Sequence, residues 1–441
     1  MTYNWEVAEY YVTLMALFTE FLPSANDYKP FKKNFRHNLI AGISVGVVAL
    51  PLALGFGVTT GSGAASGLIT AIIAGLIAAV FGGSNFQVSG PTGAMTVVLV
   101  PIVSKYGVAA LAPLGIAAGF LIIFLGFIKV GKYIDRVPFA VMEGFTLGIA
   151  LVIALQQVPL VLGIQRAPGS HTVLVAIDTF KSAISNSINW TSISIVIFAL
   201  VIKFTWPKMN KMVAPKVHIP ASIVVVLLTT LIVHFLGIKV ATIGAIPRKF
   251  EVAGNYLETF NAIPIRELGY AIVVIALLGA IESLLSARVA DGMAHKIIDH
   301  EQRKHQPNRE LFGQGLATIA ASFLGGMPAT GAIARTSVNV RAGARSRFAS
   351  IVHACFLLMV VLFLAPVVSI IPTAALAGVL IGTSYRIANP KSIIEALRTT
   401  YGERAVFIVT AISVLAIDLI WGLVIGLLTN LVLKKLLSSR R

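Results

Sequence analysis

Apolar runs of about 18 to 25 residues, set apart by short polar and often basic stretches, recur from Asn38 to Leu436. As helix at about 1.5 Å per residue, each run is long enough for the roughly 30 Å of a hydrocarbon core. The pattern divides into fourteen candidate spans, at about 38–58, 65–81, 84–104, 108–128, 137–157, 190–206, 217–238, 267–290, 310–327, 332–342, 346–369, 372–386, 402–417 and 419–437. Two of them are interrupted: GGSNFQVSGPTGAM (Gly82–Met95) and GGMPATGAIART (Gly325–Thr336). After each interruption only a short apolar helix remains, about 20 Å from Thr92 to Ser104 and about 14 Å from Ala332 to Val340. Neither crosses a bilayer alone. Each is predicted to start near the midplane, behind a non-helical lead-in at Asn85–Gly90 and Met327–Gly331. Such backbone is stable at depth only when buried in protein or lining a wet cavity. Phe86–Ser89 is expected to pair as a short strand with its counterpart, and Pro91 to sit in the first helical turn, where a missing N–H costs nothing.

Both interruptions contain Thr-Gly-Ala behind a Gly-Gly pair, and they lie slightly more than half the chain apart. The first falls in span three and the second in span ten, the third of a second set of seven. A repeat with an odd number of spans reinserts upside down, which is the inverted-repeat plan of secondary transporters. The predicted fold is an all-α polytopic membrane protein of 14 transmembrane segments in a 7+7 inverted repeat, with half-helices and short strands in segments 3 and 10. A segment 1–37 precedes a single transmembrane domain at 38–437, and 438–441 form a short tail. Tyr10–Phe21 is predicted to lie along the interface as an amphipathic helix.

Composition agrees: 57% of residues are hydrophobic, 12% are charged and the mean hydropathy is +0.87, which excludes an ordinary soluble domain. The net charge of +17 does not imply nucleic acid. Most Lys and Arg fall on alternate connections, with Lys203 among those counted there, whereas the opposite connections carry only Lys105, Arg166, Lys181, Lys239, Arg248, Lys249 and Arg266. This asymmetry places both termini on the cytoplasmic side of the cell membrane. The single cysteine, Cys355, excludes an internal disulfide or a cysteine metal cluster and is assigned to helix packing. No zincin, phosphate-loop or Gly-x-Ser-x-Gly motif is present, so neither an enzyme, a cofactor nor a metal is expected.

A half-helix start presents unpaired N–H groups and about half a positive charge, and two facing starts at the midplane form an anion site. Arg335 in the first turn of the second half-helix opposes its dipole, a poor choice for helix stability but a good one for holding an anion. The rival reading pairs it with a carboxylate, Glu282. Glu282 lies amid apolar helix with Ser286 one turn on, a position suited to carrying a coupling proton. Glu143 is expected to line a polar crevice or pair with a lysine, Arg288 and Asp291 to meet water at the inner end, Asp418 to be solvated in a turn, and His234 and His353 to be satisfied or interfacial.

The stretches GISVGVVALPLALGFGV (42–58), VSGPTGAMTVV (88–98), ALLGAIESLLSARVADGM (276–293), ELFGQGLATIAASFLGGMPATGAIARTSVNVRAGARS (310–346) and AALAGVLIGTSYRI (374–387) together resemble the SulP family of anion transporters. The family includes sulfate permeases, cyanobacterial bicarbonate transporters, bacterial dicarboxylate transporters and the motor protein prestin. The resemblance implies a mobile core (about 38–128 and 267–369), a gate (about 137–238 and 372–437) and elevator-type transport. It implies a substrate site at Phe56, Thr92, Gly93, Ala94, Gly331, Ala332, Ile333 and Arg335, with coupling at Glu282 and Ser286. Where sodium-coupled relatives carry Asp and a segment-ten Thr, this chain has Glu282 and Ile333, so a proton is expected as co-substrate rather than sodium. The expected cargo is a small inorganic or carboxylate anion, sulfate or bicarbonate first and dicarboxylates second, with an uncoupled anion channel as the rival. The cytoplasmic STAS domain usual in the family is not expected here, and a homodimer is an open partner.

Overall fold

A computed structural model of the chain describes residues 19–29, 31, 34–169, 171–186, 188–213, 219–246, 256–294 and 304–438. Helices α1 (Phe35–Thr60) and α2 (Ala64–Phe81) form a hairpin. Irregular backbone over 82–88 then leads into a two-residue strand, β1 (Ser89–Gly90), and a short helix, α3 (Gly93–Tyr106). There follow α4 (Leu111–Phe127), α5 (Phe139–Gln156), α6 (Val158–Leu162), α7 (Thr172–Asn186), α8 (Trp190–Val213), α9 (Ala221–Phe235), α10 (Tyr256–Ala262) and α11 (Ile265–Ala294). The break recurs after α12 (Pro307–Phe323), where β2 (Thr330–Gly331) precedes the short α13 (Ile333–Arg341). The chain continues through α14 (Phe348–Ser369), α15 (Thr373–Ala388), α16 (Pro390–Leu397), α17 (Tyr401–Ala416) and α18 (Leu419–Ser438).

Eight helical stretches among the described residues are long and apolar enough to cross a membrane: 35–60, 64–81, 108–127, 139–162, 190–212, 265–294, 348–369 and 419–436. The chain is an integral multi-pass membrane protein. The other six expected spans coincide with α3, α9, α12, α13, α15 and α17, none of which exceeds 17 residues. Length and composition alone therefore identify eight crossings among the described residues.

α12 packs on α2 and α4, α14 on α1 and α2, α17 on α5 and α18, and α8 on α9 and α15. Small residues set the tightest of these contacts. A Cβ on Gly119 of α4 would stand 2.7 Å from the Gly315 carbonyl of α12, so only glycine lets the two backbones meet. At the end of α12, Gly325 adopts φ +79, a left-handed turn that a side chain would strain.

Several local expectations are corrected. Between the candidate spans 137–157 and 190–206, where the sequence pattern assigns no element, the chain forms α6 and α7. The interfacial helix expected at Tyr10–Phe21 lies mostly outside the described residues; Phe21 itself is buried against the rings of Phe127 and Phe312. Lys203, counted with the inner loops, is buried within α8, where its ammonium donates to Ser222 (2.5 Å) and Thr383 (3.2 Å). Its neighbours are hydroxyls from two other helices, which sequence spacing cannot reveal. Cys355 is exposed on α14 rather than packed. Glu143 makes no ion pair with a lysine among the described residues; the charge that acts on it is Glu395, on α16. Asp418 accepts from the Tyr270 hydroxyl (2.6 Å) and the Trp421 amide (2.8 Å), so its turn is capped as well as solvated.

Candidate anion site

The two strands pair antiparallel, Ser89 opposite Gly331 and Gly90 opposite Thr330. The pairing falls later than the expected Phe86–Ser89 because side chains already satisfy the earlier backbone. Asn339 donates to the Phe86 carbonyl (2.7 Å) and Ser350 to that of Gln87 (2.7 Å), while the Val88 amide donates to Thr336 (3.1 Å). Glu310 of α12, a wholly buried carboxylate, accepts from the Ser84 amide (2.8 Å) and the Gln87 side chain (2.6 Å). On the other side Gln314 accepts from Ser89 (2.7 Å) and donates to the Ala329 carbonyl (2.9 Å). The irregular backbone is thus held by protein at every step, as burial demands.

The strands bring the two short helices start to start. α3 is capped by Thr92, whose hydroxyl accepts from the Met95 amide. Pro91 lies before this cap, not in the first turn as expected. α13 begins after Ala332 without a side-chain cap. Among the described residues the amides of Gly93, Ala94, Ile333 and Ala334 make no backbone hydrogen bond, the usual state of a helix start.

Three oxygens meet at this junction. The hydroxyls of Thr92 and Thr330 stand 2.9 Å apart and both donate to Oε2 of Glu282, at 2.8 Å and 2.6 Å. Glu282 comes from the middle of α11, which also sends Ser283 to accept from the Gly331 amide (3.0 Å). Thr330 was missed by sequence reasoning, although it is the symmetry mate of Thr92 in the repeated Thr-Gly-Ala. That repeat was the signal available. Ser286, one turn beyond Glu282, is turned instead to Thr336 (2.9 Å) and braces α13. Helical spacing places the two side chains near one face, but the packing of α13 claims the serine.

Arg335 does not pair with Glu282: no ion pair joins them among the described residues. Its side chain is only 1% exposed and reaches back across the junction, where Nη2 donates to the Pro91 carbonyl and Nη1 has no partner among the described residues. It therefore ties the second half-helix to the lead-in of the first and keeps its charge without a carboxylate. Phe56 is buried on α1. A Cβ on Gly93 would stand 3.3 Å from its ring and overlap Ile153 of α5, so Gly93 packs directly against α5. Ala94, Gly331 and Ala332 are buried; a Cβ on Gly331 would overlap the Gln87 amide and lie 2.9 Å from the Ser283 backbone, so it is protein rather than a ligand that approaches this glycine. Ile333 is 37% exposed, and Ala334 beside it at the start of α13 is exposed as well. Asp291, expected at the water interface, is partly buried against His305 (2.7 Å), while Arg288 is exposed. His353 is not satisfied: it is wholly buried, and among the described residues both ring nitrogens lack partners. Among the described residues no cluster of His, Cys, Asp and Glu suits a metal ion.

The family pattern described as the sulfate permease family matches residues 35–410. YvdB of Bacillus subtilis (strain 168), provisionally named a sulfate transporter, is 36% identical over 408 residues, covering 90% of this chain and 73% of its own. The bicarbonate transporter BicA of Picosynechococcus sp. (strain ATCC 27264 / PCC 7002 / PR-6) is 31% identical over 79% of this chain, which spans 61% of that relative's length. Among solved structures, the transmembrane domain of a cyanobacterium bicarbonate transporter BicA superposes with TM-score 0.78 at 26% identity, covering 90% of this chain and 97% of that one. SLC26A9 shares the fold, with TM-score 0.81 at 18% identity over 96% of this chain and 69% of its own. With a match over most of its length, the chain belongs to the sulfate permease family, a family of anion transporters rather than enzymes.

Proposed function

We propose that the protein is a secondary active transporter of a small anion, sulfate or bicarbonate, held between the starts of α3 and α13 and moved with a proton carried on Glu282. The proposed scaffold is the seven-plus-seven inverted repeat, whose core (about 38–128 and 267–369) slides against the gate (about 137–238 and 372–437) in the cell membrane, with both termini cytoplasmic. The names of its relatives supply the two candidate cargoes.

The observation that carries the reading is the junction itself. Two helix starts with free amides converge beside a buried guanidinium that has no carboxylate partner. A buried charge without a counter-charge is costly, and an anion offsets that cost. Phe56, Thr92, Gly93, Ala94, Ala332 and Ile333 are the proposed lining of the place where it would sit, with Gly331 packed on protein behind them.

The proton follows from counting hydrogens in the Thr92–Thr330–Glu282 triangle. Three oxygen–oxygen contacts need three protons, and the two hydroxyls supply two. With Glu282 ionised, both hydroxyls point at its carboxylate and the threonine–threonine contact has no hydrogen. With Oε2 protonated, the three groups close a ring in which each donates once and accepts once. The protonated site is a closed network joining both half-helices, and the ionised one is not. This supports Glu282 as the proton carrier; Ser286 contributes by bracing α13.

Uptake of labelled sulfate, bicarbonate, chloride and succinate into proteoliposomes, with imposed pH and sodium gradients, tests the proposal. Expected is accumulation of sulfate or bicarbonate driven by an inward proton gradient and indifferent to sodium. Arg335→Ala is expected to weaken anion affinity at least tenfold while the protein stays folded, in line with about 2–5 kcal/mol for truncating one partner of a buried charge pair. Glu282→Gln is expected to abolish the pH dependence. Flux that scales with voltage and ignores the proton gradient would instead establish an uncoupled conductor.

A further inference from the structure

The buried imidazole of His353, on α14, has no role in the transport scheme so far, yet it offers at least one N–H and pairs neither ring nitrogen. Its ring faces α2 at Gly75. A Cβ on that glycine would stand 3.5 Å from Nδ1 of His353 and 3.4 Å from the carbonyl oxygen of Ser89 in β1. The absent methyl therefore leaves room between a ring nitrogen and a strand acceptor. One helical turn earlier on the same face of α2 lies Ala71. Its Cα is 3.3 Å from the place of a Gly90 Cβ, a place occupied by Nη1 of Arg335, the guanidinium nitrogen that is buried without a partner. The ring lies within electrostatic reach of that guanidinium. Donor, acceptor and imidazole thus face one strip of α2. Buried polar groups in such an arrangement are commonly joined by ordered water, which needs two to four polar partners.

We propose that His353 is a positioning residue of the anion site: water held beside Gly75 joins its ring to the Ser89 carbonyl and to Nη1 of Arg335, and so fixes the guanidinium against Pro91. The inference rests on the reading of Arg335 as the charge that holds the anion. His353 touches no substrate in this arrangement. It acts through the arginine, so the maximal rate is spared and affinity is lost when the link is cut.

The test uses the full chain in proteoliposomes, with labelled sulfate and labelled bicarbonate as probes. His353→Leu, which removes the hydrogen-bonding nitrogens, is expected to raise KM at least tenfold with maximal uptake within about threefold of wild type. His353→Gln, which can still donate and accept, is expected to recover most of the affinity. Gly75→Ala supplies an independent variant should the leucine protein not fold. Its Cβ makes only ordinary contacts and alanine favours a helix, so the melting temperature stays equal or rises while KM increases at least fivefold. Wild-type KM in His353→Leu or in Gly75→Ala overturns the inference. Arg335→Ala separates the two readings. If it binds both anions like wild type, the anion-site reading itself fails; if it loses affinity while the His353 and Gly75 variants keep theirs, only the water link fails.

Discussion

Gly93→Ala places a methyl group where the junction of half-helices meets α5. The new Cβ would overlap Cδ1 of Ile153, stand 2.8 Å from Cγ1 of the same residue and 3.3 Å from the Phe56 ring. Ile153 is almost wholly buried, so it cannot turn freely aside. Overpacking of this kind costs about 1–3 kcal/mol. Because Gly93 belongs to the proposed core and Ile153 to the proposed gate, that cost falls on this arrangement of the two and lowers its population by about 5- to 150-fold at 1.4 kcal/mol per decade. Ile153→Ala removes both offending atoms, at about 2–5 kcal/mol of lost burial by itself. The two substitutions made together are therefore expected to be less harmful than the sum of each, with a coupling of about 1–3 kcal/mol. Initial uptake rates in proteoliposomes and melting temperatures of the purified protein give the four corners of the cycle. Strict additivity, or wild-type uptake by Gly93→Ala, would refute the idea that this glycine is the sliding contact.

Thr92→Val and Thr330→Val each open the hydroxyl–carboxylate triangle; each is expected to abolish proton-driven uptake, and the double variant to be no worse than either, as read from uptake against pH. Glu310→Ala leaves the Ser84 amide and the Gln87 side chain without their acceptor inside the fold, so a loss of about 3 kcal/mol or more is expected in thermal unfolding, with poor recovery of folded protein. Asp27, ahead of the first span, binds Arg309 (2.8 Å) and Arg347 (3.4 Å) and straps the chain before α1 to α12 and to the start of α14. Burial raises its pKa, but the hydrogen bond from Arg309, the Ser24 amide and the two arginine charges outweigh that and hold it below its ordinary value. A lowered folded pKa means that the strap's contribution is present above the ordinary carboxylate value and is lost only as pH falls through the lowered one. Asp27→Asn should therefore cost about 1–3 kcal/mol at neutral pH and flatten the acid limb of the melting-temperature profile; an unchanged profile would show that the strap adds nothing.

Much of the site was written in local pattern. Two polar, glycine-rich interruptions in an otherwise apolar chain foretold two short helices and a strand pair, because unpaired backbone cannot stay in hydrocarbon. The shared Thr-Gly-Ala marked the two breaks as equivalent, although Thr330 was not drawn from it, and a carboxylate and an arginine amid apolar residues singled out Glu282 and Arg335, which the structure bonds to the two threonines and to Pro91 respectively. What local pattern left open was which buried group bonds which. Ser286 shares a helix face with Glu282, yet its partner is Thr336. Glu310 reads as an ordinary acidic helix start, yet it anchors the lead-in to β1.

The sequence by itself determined the membrane class and the positions of the two breaks, since each follows from hydropathy, length and backbone chemistry within a few neighbouring residues, while the family came from the resemblance of its motifs. Only the tertiary structure decided that Thr92, Thr330 and Glu282 hydrogen-bond one another, that Arg335 answers to Pro91 rather than to a carboxylate, and that Lys203 and His353 are buried. Those pairings join residues far apart in the chain, and helix packing selects among many partners that spacing alone leaves equivalent.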